Sequence, residues 1–294
     1  MISYEYYKIF YYACKYKNFT KAAGALGTSQ SSVSHIMNTL ESQIGCRLFT
    51  RSNRGIKLTP EGERLYSYVA AGCEQFIKGE NELANGATAE SGVVYISATE
   101  TALNCILFKL LNKFRSKYPG VKFKIENLST YSAADSVKNG TSDYAFVSTP
   151  IKIGKGLTER ALIEFSDVLI CGSSMRELAE QTIDIQRIAD YPFISLSVGT
   201  ATRLYYDSFF EKNKIYIEPD IEVATTDMII PMVKNNMGIG FVPELMLDDV
   251  RDEVYPVKIN RTLAKRNVSI IWDKSAPKSP AAKTFLNFIL SEAL

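Results

Sequence analysis

The sequence predicts two fold classes in one chain: a small all-α head with one short hairpin, a long connecting helix, and an α/β region of two lobes. Three observations predict it. Residues 19–44 hold two short amphipathic stretches broken by a glycine, with apolar residues at helical spacing. Residues 60–85 carry one long apolar stripe that opens with Thr59-Pro60-Glu61. From Val93 onward, short strand-like runs such as VVYIS alternate with helical stretches, the pattern of a mostly parallel sheet covered by helices. At 294 residues, the chain is too long for one small core and fits two or three domains.

The first helix is expected over Tyr4–Tyr16, with Tyr6, Ile9, Phe10 and Ala13 on its core face and its tyrosines structural. Asn18 then caps a second helix, whose Ala22, Ala23 and Leu26 permit close packing. Gly27 ends it, because glycine tolerates the left-handed conformation that closes a helix. Ser29 caps a third helix over Gln30–Ile44, which places Val33, Ile36, Met37, Leu40 and Ile44 on one face. Ser31, His35, Asn38 and Ser42 face the other way, with Ser34 on the flank and no carboxylate until Glu41 at the edge. Hydroxyls, amides and an imidazole suit hydrogen bonding to base edges in a major groove. This is the helix-turn-helix pattern, with Gln30–Ile44 as the recognition helix. Gln30, Ser31, Ser34, His35 and Asn38 are the candidate base contacts.

After Gly45, the stretch CRLFTRSNRGIKLTPEG is basic, turn-rich and weakly β. It fits a wing, a small hairpin that lays cations along the phosphate backbone, with Arg51 and Arg54 as its phosphate contacts. Residues 1–60 hold eight Lys/Arg against two Glu, residues 61–90 two against six, and residues 91–294 balance at 24 against 24. Affinity for nucleic acid is therefore expected at the N-terminus, where clustered cations release counterions from DNA.

NFTKAA, then SQSSVSHIMNTLE, then IGCRLFTRSNRGIKLTPEG closely resembles the N-terminal signature of LysR-type transcriptional regulators, over about sixty residues with the motifs in order. His35 stands where an arginine is more common in that family, which bears on base preference. The resemblance implies a regulator in the cytoplasm that binds double-stranded promoter DNA as a homodimer or homotetramer, with RNA polymerase as a further partner and a small-molecule effector as its signal.

Thr59-Pro60-Glu61 is a helix start: threonine caps, proline suits the first position, and Glu61 and Glu63 complement the helix dipole. Leu65, Val69, Gly72, Phe76, Gly79 and Leu83 then repeat at spacings of four and three, a heptad-like stripe that needs a covering partner. A second copy of the chain is the economical one, and the resemblance implies the same linker-helix dimer. Residues 86–92 are small and polar, a hinge. The expected division is thus a winged helix-turn-helix head over 1–59, a linker helix and hinge over 60–90, and an effector-binding region over 91–294.

Within that last region the expected elements are strands at 93–97, 121–128, 144–147, 167–171, 193–196, 221–224, 239–242 and 268–272. Helices are expected at 101–118, 133–139, 202–212, 227–235 and 281–290. Two α/β lobes with crossing connections resemble the fold of periplasmic binding proteins. The family resemblance returns the last strand and helix to the first lobe, giving lobe one about 93–161 plus 266–294 and lobe two about 162–265.

In open α/β sheets ligands bind beyond the carboxyl ends of the strands. Those ends carry Thr99-Glu100-Thr101, Ser129-Thr130-Tyr131, Ser148-Thr149 and Gly199-Thr200-Ala201-Thr202. Hydroxyls beside helix starts suit a small anion or carboxylate. Thr99, Glu100, Thr101, Thr130, Ser148, Thr149, Thr200 and Thr202 are the candidate effector contacts. The resemblance assigns the positions of Thr99, Thr101, Thr149 and Thr202 to the inducer pocket. An inward Glu100 would favour an amine or amino acid over a bare carboxylate.

Five scattered cysteines without CxxC spacing and a single histidine argue against a zinc site and for buried thiols. No catalytic constellation, Walker loop, metal site or cofactor fingerprint is present, so no enzyme, metal or cofactor is expected. No apolar run approaches the ~20 residues of a membrane span, and the N-terminus does not read as a secretory leader. The rival readings are a solute-binding or redox-sensing protein with a helical head.

Overall fold

The computed structural model describes residues 2–52, 55–84 and 88–292, with the side chains of residues 51, 52, 82 and 84 outside that description. The chain divides into two compact units: residues 1–84 and, apart from a turn at 139–141, residues 85–294.

In the first unit, α1 (Tyr4–Tyr16), α2 (Phe19–Leu26) and α3 (Gln30–Ile44) have the expected bounds. Their ends are set by the expected residues. The Asn18 side chain accepts from the Lys21 N–H at 3.0 Å and the Ser29 hydroxyl from the Ser32 N–H at 3.1 Å. Gly27 and Gly45 take φ of 65° and 84°, a region open to glycine at little cost. Phe10, Ala13, Ala22, Val33, Met37 and Leu40 form the centre of the core.

The hairpin follows as β1 (Phe49–Ser52) and β2 (Gly55–Leu58), antiparallel, with Phe49 opposite Leu58. Next, α4 runs Pro60–Ala84, and the Thr59 hydroxyl accepts from the Gly62 N–H at 3.0 Å. Gly62 is required here, because an added Cβ would strike the Leu48 carbonyl oxygen. The stripe on α4 divides. Leu65 and Val69 pack on the head's core, while Tyr68, Phe76 and Leu83 are 79, 56 and 85% exposed. Phe76 meets the Tyr4 ring edge-to-face, at 5.1 Å between centroids. Although α4 has 25 residues, no helix among the described residues is long and apolar enough to cross a membrane.

In the second unit, β3 (Ser91–Ala98) opens a five-stranded sheet with β4 (Gly120–Asn127), β5 (Tyr144–Ser148) and β6 (Leu157–Phe165). A six-stranded sheet follows, from β7 (Asp167–Cys171), β8 (Thr182–Ile183), β9 (Phe193–Leu196), β10 (Ile221–Val223), β11 (Ile239–Pro243) and β12 (Tyr255–Ile259). The chain returns to the first sheet at β13 (Arg266–Asp273). The strand orders are β4-β3-β5-β13-β6 and β10-β9-β11-β7-β12-β8. Each sheet has a parallel part joined by crossover helices and an antiparallel part where the chain changes lobe. Buried apolar clusters lie against each sheet.

The crossover after β3 is a helix in three parts: α5 (Glu100–Ala102), a π-helical turn (Leu103–Leu107) and α6 (Phe108–Lys117). The other helices are α7 (Thr130–Lys138), α8 (Ala201–Lys212), α9 (Ile229–Lys234) and α10 (Pro280–Glu292).

Several expectations need correction. Of the expected 86–92 hinge, residues 86 and 87 lie outside the described residues, and Ser91 and Gly92 already belong to β3. The expected lobe boundary at 161 falls inside β6, whose pairing with β13 continues to Phe165. Strands β6, β8 and β12 are additions. β6 is an edge strand whose consecutive Glu159, Arg160 and Ala161 are all exposed, so neither face keeps an unbroken apolar alternation and the period is hidden. β12 contains Pro256, a residue that argues against a central strand. It is tolerated because the two-residue β8 pairs only with Lys258 and Ile259, leaving the proline's side of the ladder open.

Candidate functional site

Two surfaces concentrate the candidate residues, one in each unit. In the first unit, Gln30, Ser31, His35, Asn38 and Ser42 are exposed along α3, and Ser34 is half-buried. Capping orders the start of this face: the Ser29 hydroxyl lies 2.8 Å from both the Ser31 and Ser32 hydroxyls.

Glu41 is not at the edge of that face. It is 8% exposed, and its carboxylate accepts from the backbone N–H groups of Leu48 at 2.7 Å and Phe49 at 3.1 Å, and from Arg47 Nη1 at 2.9 Å. It pins the first residue of the hairpin to the recognition helix. The signal was present in the spacing, since Met37, Leu40, Glu41 and Ile44 complete an i, i+3, i+4, i+7 stripe that points inward. With Glu41 withdrawn, the exposed part of α3 between Gln30 and Asn38 carries no carboxylate. Arg54 lies outside the described residues, as does the side chain of Arg51; Arg47 and Lys57 are exposed.

The second unit has a cleft of about 110 Å³ between its two sheets. Thr99, Glu100, Thr101, Asn127, Ser129, Thr130 and Ser148 line it from one lobe, and Leu196, Thr200, Ala201, Thr202, Thr225 and Thr226 from the other. These are the residues beyond β3, β4, β5, β9 and β10, where an open α/β sheet places ligands. Seven of the eight candidate contacts meet here.

Thr149 does not line it. Its neighbour Ser148 faces the cleft, and successive strand residues point oppositely. The Thr149 hydroxyl instead accepts from the Asn267 N–H at 2.8 Å, and its carbonyl accepts from Arg266 Nε at 2.6 Å. Thr99 and Thr200 are helix caps, accepting from the N–H groups of Ala102 and Arg203, each at 3.2 Å. Thr101 reaches across the lobes to the Thr226 hydroxyl at 3.4 Å.

Arg266 is the residue the sequence did not disclose. It is 2% exposed at the start of β13, behind the cleft wall. Its Nη1 donates to Asp167 Oδ2 at 3.0 Å, and its Nη2 donates to the hydroxyls of Ser148 at 3.2 Å and Thr202 at 2.8 Å. Its guanidinium lies over the rings of Tyr205 and Phe165, at 4.9 and 5.3 Å. One buried cation thus ties the two strand crossings and holds one cleft hydroxyl from each lobe.

Glu100 is 6% exposed. Burial and the facing Asp227 push its carboxyl up to about 7, against the hydrogen bond from Asn104 Nδ2 at 2.7 Å. Burial pushes the thiols of Cys105 and Cys171 up to about 12 and about 11, and that of Cys14 higher still. Such thiols stay protonated and unreactive near neutral pH.

Known proteins resemble the chain over both surfaces. The family described as "LysR substrate binding domain" matches residues 87–294, and "Bacterial regulatory helix-turn-helix protein, lysR family" matches residues 5–63. A probable RuBisCO transcriptional regulator of Cyanidium caldarium is 29% identical, covering 93% of this chain and 88% of its own. The HTH-type transcriptional regulator YofA of Bacillus velezensis is 26% identical over 95% of each chain. Among solved structures, CbnR, a LysR family transcriptional regulator, superposes over 100% of both chains with a TM-score of 0.74 at 16% identity.

Proposed function

Since the chain belongs to the LysR family of DNA-binding transcriptional regulators, we propose that its Gln30, Ser31, Ser34, His35 and Asn38 read bases in the major groove while Arg51 and Arg54 hold the flanking phosphates. The observation that carries this reading is the exposed, carboxylate-free face of α3 beside an anchored, basic hairpin. Residues 1–59 act as the DNA-binding head, residues 60–90 as linker and dimerisation element, and residues 91–294 as the effector-binding region. The uncovered Tyr68, Phe76 and Leu83 on α4 support a homodimer, with two recognition helices in successive major grooves; pairing of dimers would give a tetramer. A promoter-binding role fits a protein working in the cytoplasm, with RNA polymerase as a further partner.

A small molecule in the cleft between the lobes would be the signal. It would touch Thr101, Ser148 and Thr202, with Thr99 and Thr200 holding the helix starts around it. By changing the lobe arrangement it would change the spacing or bend of the bound DNA.

Selection of bound duplexes from a random library, followed by fluorescence anisotropy at several salt concentrations, tests the DNA reading. A two-fold symmetric site with a steep salt dependence is expected. Binding without sequence preference would overturn the base-reading assignment.

A further inference from the structure

The cleft has a polarity, and it follows from which groups donate. Arg266 Nη2 donates to both the Ser148 and Thr202 hydroxyls. Each of these oxygens is therefore an acceptor to the arginine, and its own proton is turned elsewhere. Both side chains are more than nine-tenths buried and both line the cleft. No acceptor for either proton is present among the described residues. The pair forms a donor wall held by a cation that does not itself enter the cleft. The start of α8 adds backbone N–H groups to that wall, a setting that favours a negative charge.

Glu100 lines the same cleft and is an acceptor when ionised. Asn104 and the backbone N–H groups of Thr226 and Asp227 occupy part of the carboxylate, which has about four acceptor positions and so keeps one for a ligand. A ligand that was only an anion would meet the donor wall favourably and Glu100 unfavourably. A ligand that was only an amine would leave the two buried protons unanswered. The cleft measures about 110 Å³, while a cavity of about 150 Å³ holds benzene. The space between the two ends is therefore short. The smallest class that carries both charges across so few atoms is the α-amino acid.

We infer that the effector of this regulator is a small α-amino acid, its carboxylate received by Ser148 and Thr202 and its ammonium by Glu100. This rests on the reading of the cleft as the effector site. Glu100 is pushed up to about 7 by burial and by Asp227 of the other lobe, with Cys105 a further titratable group on its own helix. An ammonium at Glu100 favours the ionised carboxylate. Binding near pH 6.5 therefore releases a proton from Glu100, whereas binding of a plain carboxylate beside the same group cannot.

Isothermal titration of the full-length chain tests this with three matched sets: the L-amino acids up to the size of valine, their carboxylates without the amine such as propionate, and their amines without the carboxylate such as ethylamine. At least one amino acid should bind about ten- to a hundredfold more tightly than either counterpart, the range of one charge-assisted hydrogen bond. Repeating the titration at pH 6.5 in buffers of different ionisation enthalpy should show proton release, and Glu100→Gln should remove both the release and the preference. Equal or tighter binding of the carboxylates, proton uptake, or no binding by any amino acid would overturn the inference. The wild-type comparison needs no variant to fold. Amino-acid binding that is unchanged in Ser148→Ala and Thr202→Val would instead overturn the cleft as the site, separating the two readings.

Discussion

The face of α3 and the cleft differ in how much chain each needs. The α3 face comes from nine consecutive positions, Gln30–Asn38, on one helix whose caps lie next to it. The cleft draws on residues from Thr99 to Thr226, and its key cation, Arg266, lies beyond both. Their buried acids differ in the same way. Glu41 is answered by two backbone N–H groups and an arginine within eight residues, while Glu100 takes its hydrogen bonds from Asn104 and from the backbone of Thr226 and Asp227 in the other lobe, and is buried against the like charge of Asp227. A local site can satisfy its charges with its own turn. A convergent site brings together groups that the sequence kept apart, like charges included.

The largest test of that contrast is Arg266→Ala. It strands Asp167, whose side chain is fully buried, as an uncompensated charge. A loss on the order of 3–5 kcal/mol is expected in urea unfolding of the second unit, with recovery when Asp167→Asn is added. A small loss would show that the pair is not the pin between the strand crossings.

Glu41→Ala should cost on the order of 3 kcal/mol of head stability, because two buried N–H groups lose their acceptor. Glu41→Gln keeps an acceptor and should cost less, a difference that thermal unfolding measures. Equal losses would mean that charge, not backbone anchoring, holds the hairpin.

The pH dependence of the second unit sharpens the comparison of the two acids. The Glu100 carboxyl has its folded value raised from 4.5 to about 7, so between those values the folded state holds the proton more tightly than the unfolded state. Stability then falls as pH rises through this window and levels off above about 7. The effect is on the order of 2 kcal/mol, and Glu100→Gln should flatten it in melting curves taken from pH 5 to 8. A wild-type curve that rises over that range would contradict the burial of Glu100.

The smallest effects are those at the DNA surface. Arg51→Ala should weaken binding to all duplexes and reduce the salt slope by ~1, while His35→Ala should change preference at one base position by about 1 kcal/mol. A shared pattern for the two variants would break the division between phosphate and base contacts.

Legibility in the sequence followed locality. Asn18, Gly27, Ser29 and Gly45 act on N–H and C=O groups within four residues of themselves, so α2 and α3 could be bounded to the residue. The repeat from Leu65 to Leu83 marked α4 for the same reason, but it could not say that Leu65 and Val69 would be covered by the head and Phe76 and Leu83 left open. β6 and β12 escaped because an edge strand needs no alternation and a proline next to a two-residue neighbour breaks no ladder. Seven of the cleft's eight candidate contacts were legible because the ends of α/β strands converge by topology. Thr149 was misplaced by one residue of strand alternation.

By itself the sequence determined the helix caps, the stripe on α4, the basic head and the alternation that makes an α/β region, since each depends on neighbours a few residues apart. Only the tertiary structure decided that Glu41 turns inward to hold the hairpin, that Arg266 is buried behind Ser148 and Thr202, and that Glu100 faces Asp227. The physical reason is that the energy of a charge depends on what surrounds it in space, and those surroundings are set by contacts of up to 127 positions along the chain, between Glu100 and Asp227.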